Sequence, residues 1–383
     1  MNGGNPFWNV LSFLLFILFM FFYPRLLLSQ IVWKLEESAE LLESLALTGK
    51  KIVTKRLKRR LDKKLKESLE RFLDFFVIEP TSLDPYGIVK KFDLIITTEK
   101  KRFKYFVAQI APNLGSEERA NIVMGLSATI MLRQLAKIMR HYVELIKKTK
   151  NFQLALLLQM NVPLIERMAK ALLRGVQALA NGWPIGDGIG CLVTAKLIGK
   201  GKVKSIDDET VVSEVTIEKR KCLIIKPKGP GGRLGNVGKV IEKLAKKRKI
   251  AKIITIDAAL KLEGERTGSI AEGVGVAMGG IGVEKTYIEN VAVKNNIPLD
   301  SIIIKMSQEE AVSPMKESIY KSLPKVVELV KQNIKNTKEK GVIVVVGVGN
   351  TCGIGNSERD LKETEKILRK VWRKMKKVKR VAA

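Results

Sequence analysis

Histidine is almost missing from this chain: His141 is the single one among 383 residues, so the stretch from Asn181 onward has none. An imidazole-activated cysteine nucleophile and a histidine-held metal are thereby excluded from that stretch. Cysteine is nearly as scarce. Cys191, Cys222 and Cys352 show no C-x-x-C spacing, which excludes a disulfide scaffold and a cysteine-based zinc site and leaves reduced, cytosol-facing thiols as the expectation. Acidic residues are few, 39 Asp and Glu against 69 Lys and Arg, for a net charge of +30. Such a surface attracts anionic lipid, nucleic acid or acidic protein. No G-x-x-x-x-G-K-[ST] phosphate loop occurs either.

What is present begins with an apolar run. "FWNVLSFLLFILFMFFY", residues 7 to 23, carries no charge, and Arg25 is the one interruption before Lys34. About 20 such residues span a bilayer. A cleaved signal peptide would open on positive charge and end on small residues, whereas "MNGGNPFWN" has neither Lys nor Arg and no A-x-A site follows. The expectation is a retained single-pass anchor at residues 7–31 of a cell membrane. Lysine and arginine crowd its C-terminal side, in "KKIVTKRLKRRLDKKLK" at 50–66, which puts the bulk of the chain in the cytoplasm.

The length suggests two or three domains, and the pattern divides them as 1–33, an anchor; 34–180, a basic helical region; and 181–383, an α/β domain. Leu57, Leu61, Leu65 and Leu69 recur at helical spacing with Lys and Arg between them, a face expected to meet anionic lipid headgroups in preference to nucleic acid. Met124, Met131 and Met139 read as a core stripe and His141 as structural. After Asn181 the period changes. "VVSEVTI", "KCLIIKP", "AKIITIDA", "DSIIIKMS" and "GVIVVVGVGN" alternate with helical segments at 236–248, 308–335 and 358–378. Apolar strands separated by helices predict a mostly parallel sheet covered by helices on both faces, with its ligand crevice beyond the carboxyl ends of the strands.

Glycine-rich loops stand at those ends: "KPKGPGGRLGN", "DAALKLEGERTGSIAEGVGVAMGGIG" and "GVGNTCGIGN". Their amides can cradle an anion or hold an extended peptide. Candidate ligand-binding residues are Gly231, Gly232, Gly235, Asn236, Gly268, Gly279, Gly280, Gly347, Gly349 and Asn350. The glycines 229, 231, 232 and 235 miss the G-x-G-x-x-G dinucleotide spacing by one position. Asp187, in "NGWPIGDGIGCLVTAKL", has two readings: the cap of the helix that follows, or part of a site.

"GDGIGCLVTAKL", "NVGKVIEKLAKKRKIAKIITIDAAL", "RTGSIAEGVGVAMGGIGVEK" and "IPLDSIIIKMS" together resemble the ordered core of the germination protease and hydrogenase-maturation endopeptidase fold. In that group one aspartate opens the first helix, a second ends a later strand, and a glycine-rich loop follows. Asp187 and Asp257 match the two. "VVVGVGN" at 344–350 is similar to the G-x-G-N strand that normally comes first, so the resemblance implies a circular permutation. The whole chain also resembles an archaeal family of membrane-anchored proteins of uncharacterised function. The resemblance implies an Asp187–Asp257 dyad that shares a proton and activates water against a peptide carbonyl, with loop amides holding the oxyanion. The hydrogenase-maturation relatives use a histidine and a further acid for a metal, and without a histidine the metal-free version is the one implied. Two function classes stay open: a membrane-tethered peptidase or amidase, and a non-catalytic module or scaffold that reads a nucleotide or protein partner. Cofactor and oligomeric state stay open too.

Overall fold

A computed structural model describes residues 6–57, 61–80, 87–279 and 282–381. Its N-terminal part is helical: α1 (Pro6–Arg56), α2 (Lys63–Phe72), α3 (Ile88–Ile110), α4 (Ser116–Thr149) and α5 (Phe152–Asn181). The chain packs as two compact units, one of Met1–Thr48 with Met131–Lys170, the other of Gly49–Ile130 with Ala171–Ala383.

The first unit is all helix. Leu35, Ala39, Leu42 and Ala46 on α1, and Leu132, Ala136, Met139, Val143 and Ile146 on α4, are buried at three- and four-residue steps, the period of one helix face. Met131 lies one residue off that face and is exposed, so the methionines do not form one core stripe. Arg140 clamps Glu43 with two bonds, 2.7 Å and 3.0 Å long, and Ser38 Oγ donates to Glu166 Oε1 over 2.6 Å. The segment before Leu35 differs. Phe13, Phe16, Phe19 and Phe22 are all exposed, and Val10–Arg56 includes an 18-residue stretch of mean hydropathy 2.2 with none of it buried. Ser116–Thr149 holds a second such stretch, of mean hydropathy 1.4 and half buried. Both helices are long and apolar enough to cross a membrane.

In the second unit the basic leucine stripe is broken between α1 and α2. Leu57 and Leu69 are buried and Leu61 and Leu65 half-buried in a helical core around stacked Phe72 and Phe106, while Lys63, Lys64 and Lys66 stay in water. The sheet follows: β1 (Val203–Ser205), β2 (Thr210–Ile217), β3 (Arg220–Pro227), β4 (Ile250–Leu260), β5 (Ile270–Val274), β6 (Leu299–Met306) and β7 (Val342–Gly347), in the spatial order β1-β2-β3-β7-β4-β6-β5. The four central strands, β3, β7, β4 and β6, are parallel, and β1, β2 and β5 run antiparallel at the two flanks. β5 falls inside what reads in the sequence as a glycine loop, since Gly273 hides its strand period.

The helices of this unit are α6 (Ile189–Ile198), α7 (Val237–Ala245), α8 (Val283–Asn295), α9 (Gln308–Val312), α10 (Glu317–Tyr320), α11 (Leu323–Asn336) and α12 (Glu358–Val381). Side-chain alternation along each strand assigns them to faces. Ile224, Ile254, Ile256 and Val345 pack with α6, α11 and α12, while Leu223, Ile225, Ile253 and Val344 pack with α7 and α8. After β4 the chain passes through β5 to α8 on one face, and after β7 it passes to α12 on the other. These two strands are neighbours, so the crossovers part between them, which is where an open α/β sheet forms its crevice.

Candidate active site

The β4–β7 ladder ends at the pair Ile256–Gly347, whereas β4 continues beside β6 as far as Leu260–Met306. Asp257 is therefore the first residue of β4 that has lost its β7 neighbour, and it sits buried at the mouth of the crevice. Its Oδ1 accepts the Ala258 amide over 2.7 Å, and the Gly279 amide also donates to it. Gly279 reaches it because residues 275–279 fold back across β6, where Ser301 Oγ donates to Gly275 O over 2.6 Å and accepts the Ala277 amide over 3.0 Å.

Asp187 arrives from the other face. It occupies a single 3₁₀ turn, Gly186–Gly188, ahead of α6. The cap position of α6 is Gly188, without a side-chain bond, so Asp187 does not cap that helix. Its Oδ2 instead accepts the amide of Asn350 over 2.9 Å. Glycine makes this approach feasible. A Cβ on Gly190 would lie 2.2 Å from Ile256 O and 2.5 Å from Val348 O, so the first turn of α6 rests directly on the ends of β4 and β7. Gly349, at φ +113°, brings its backbone so near Asp187 that a Cβ would stand 1.9 Å from the Asp187 carbonyl oxygen.

The charge of Asp187 is felt at Asp257. Burial raises the pKa of Asp187, against the opposing Asn350 amide. Burial, and then the charge of Asp187, raise Asp257 well above the ordinary aspartate range, against the amides of Ala258 and Gly279. Two further groups border the pair. Cys191 places Sγ 3.2 Å from Gly349 O, and burial pushes its thiol up to about 12, so it stays protonated. Lys226 is wholly buried, donates to Gly355 O over 3.0 Å and to Asn356 Oδ1 over 3.4 Å, and is pushed down to about 8 by burial. Cys352 is buried, and burial raises its pKa, so its thiol stays protonated.

Of the candidate residues, Asp187, Asp257, Gly279, Gly347, Gly349 and Asn350 come together at the crevice. Among the amides from Val348 to Ile354, that of Gly349 has no acceptor among the described residues, while the others bond within the protein. The remaining candidates lie elsewhere. Gly231 and Gly232 donate to Glu117 Oε2 and Asn121 Oδ1 of α4, over 2.6 Å and 2.7 Å. Gly235 packs on Pro227, and Asn236 precedes α7 with its amide on Thr210 Oγ1. Gly268 bonds to Lys305 O at the start of β5. Gly280 lies outside the described residues. Sequence reasoning missed Lys226, although a lysine closing the apolar run of "KCLIIKP" was a visible signal. Among the described residues no three His, Cys, Asp or Glu side chains cluster as a metal site would.

No curated protein and no solved structure matches the chain. Two family profiles do: residues 9–182 match the DUF1512 N-terminal domain, described as a protein of unknown function, and residues 185–355 match the DUF1512 C-terminal domain of unknown function. Between them they take in most of the sequence, and the chain belongs to the DUF1512 family.

Proposed function

We propose that this protein is a membrane-anchored hydrolase of the peptidase or amidase type, with Asp187 and Asp257 as its catalytic pair and its bulk on the cytoplasmic side. The observation that carries the reading is the convergence of two carboxyls with raised pKa at the crevice between β4 and β7, from segments far apart in the chain. In the mechanism, one carboxylate takes a proton from water as it attacks the carbonyl carbon, and the other carboxyl delivers its proton to the leaving amine. The amide of Gly349 is the donor available for the oxyanion. The resemblance to the germination protease fold supports the same roles, and the central position of β7 beside β4 fits a permuted order. Exposed Phe13, Phe16 and Phe19 support the anchor at 7–31, and the exposed lysines of 50–66 support contact with anionic headgroups.

One observation favours the non-catalytic module: the bond from Asn350 to Asp187 also serves to pin the 347–350 loop. A single experiment separates the two. The full chain, purified in detergent, is incubated with a peptide library in ¹⁸O-labelled water and the products are read by mass spectrometry. The hydrolase reading expects new termini carrying one ¹⁸O, lost in both Asp187→Asn and Asp257→Asn. Cleavage that persists in those variants, or none by the unaltered protein, would sink it.

A further inference from the structure

In the second unit lies a cavity of about 470 Å³, inside the range that holds small ligands. Its walls are α3, the first turns of α4, the β1–β2 turn and the loop after β3. One wall is apolar, formed by Ala108, Ala120, Val123, Met124 and Leu234. The rest is charged, and most of that charge is committed. Arg233 pairs with Glu117 over 2.6 Å, and Lys104 pairs with Glu209 over 2.5 Å.

Three cations are left without an ion pair among the described residues. Lys228 makes no ion pair of its own, and its charge is felt by Glu117, which Arg233 already holds. Lys100 meets the neutral Asn236 Oδ1 at 3.3 Å. Arg119 spends its Nη2 on the Pro112 carbonyl, and its Nε is buried with no acceptor. Asp208, together with Glu117, already held by Arg233, and Glu284, within reach of Lys100, offsets these cations only in part, so the cavity keeps an excess of positive charge. The form of that charge can be narrowed. The Arg233 fork is closed on Glu117 and Arg119 has its Nη2 committed to the Pro112 carbonyl, which disfavours the bidentate clamp that a phosphate would use, and the carboxylates of Asp208 and Glu209 oppose a dianion. A single carboxylate attached to an apolar body matches the lysine side and the apolar side together.

One residue of the cavity wall touches the loop that holds Asp187. Met124 forms part of its wall, and Met124 Sδ receives the side-chain Nδ2 of Asn350 at 3.2 Å, the residue whose backbone amide holds Asp187. Gly232 keeps this contact open, since a Cβ there would stand 2.9 Å from Met124 Cγ.

We propose that this cavity binds the free C-terminal carboxylate of a peptide together with its last apolar side chains, and so selects what the carboxylate pair acts upon. The inference rests on the hydrolase reading for its purpose but not for its binding chemistry. The test uses the full chain in detergent and two dye-labelled peptides, Ala-Val-Leu-Leu as the free acid and as its amide, followed by fluorescence anisotropy. The free acid is expected to bind at least ten times more tightly than the amide. Lys228→Gln should remove that difference while leaving the amide unchanged, and Ala108→Phe, which fills the cavity from a half-buried position on α3, should weaken both peptides. Equal affinity for acid and amide, or no binding of either, overturns the proposal. So does displacement by inorganic phosphate or by laurate at the peptide's own concentration, which would assign the cavity to phosphate or to an acyl chain. Asp187→Asn separates the two readings. Discrimination that survives in that variant, with the cleavage pattern also unchanged, sinks the dyad and keeps the cavity, whereas loss of cleavage without discrimination in any form does the reverse.

Discussion

Asp187 and Asn350 lie 163 positions apart in the chain, yet the amide of one donates to the carboxylate of the other over 2.9 Å. That bond joins the turn before α6 to the loop after β7, and it puts Asp187 within electrostatic reach of Asp257. The two acids are therefore expected to respond to mutation as a unit. Asp187→Asn and Asp257→Asn should each leave the melting temperature unchanged or raise it, because each removes a buried like-charge repulsion at constant size. The double variant should gain less than the sum of the singles, by about 0.5 kcal/mol or more. Thermal melts of the singles and the double check this, and strict additivity would count against the pair.

The seat of Asp187 is backbone against backbone. Gly349→Ala would place a methyl 1.9 Å from the Asp187 carbonyl oxygen at a φ of +113°, and should cost more than about 3 kcal/mol. Gly273→Ala, with no atom within 4 Å of the added carbon, should be neutral or slightly stabilising. Urea denaturation of both variants would expose the contrast. Equal effects would mean that the close approach at Gly349 is not maintained in solution.

Asp257 predicts a pH dependence with a definite sign. Its native pKa stands well above the ordinary 3.8, so between those two values the native state holds a proton that the unfolded chain has released. Stability from this group is present below the ordinary value and declines as pH rises through the window. The melting temperature of Asp257→Asn relative to the unaltered protein should accordingly climb as pH increases from about 4, and level off once the native group has ionised. A difference that stays flat with pH would show that the carboxyl is ordinary.

Lys226 predicts the opposite slope at the alkaline end. Burial depresses its native pKa to about 8 from 10.5, so between these values the unfolded chain binds a proton that the native state does not. Stability from this group rises across that window. Against Lys226→Met, which also forfeits the bonds to Gly355 and Asn356, the unaltered protein should gain melting temperature from pH 8 to 10.5. A constant gap would mean that Lys226 titrates normally and serves only as a hydrogen-bond donor.

Orientation in the membrane is tested without knowing a substrate. Lysine and arginine crowd only the C-terminal side of residues 7–31. Protease added outside right-side-out vesicles should then leave the α/β domain whole until detergent is added. Digestion of that domain from outside would reverse the topology.

Local pattern alone determined much of this protein. The uncharged run at 7–23, the change of period after Asn181 and the five apolar strands were legible because burial on both faces demands continuous apolar residues. Asp187 and Asp257 stood out for the same kind of reason: each is a charge set among glycines or at the end of an apolar strand. Other features were decided by tertiary structure. β5 was hidden because Gly273 interrupts its period, and the leucine stripe at 57–69 could not announce that it packs inward onto Phe72 and Phe106. The glycines read alike in sequence and part ways in space: Gly231 and Gly232 donate to α4, while Gly349 lies against Asp187. Which glycine serves the crevice depends on the strand order that sets β7 beside β4, and strand order comes from long-range pairing that no window of sequence contains.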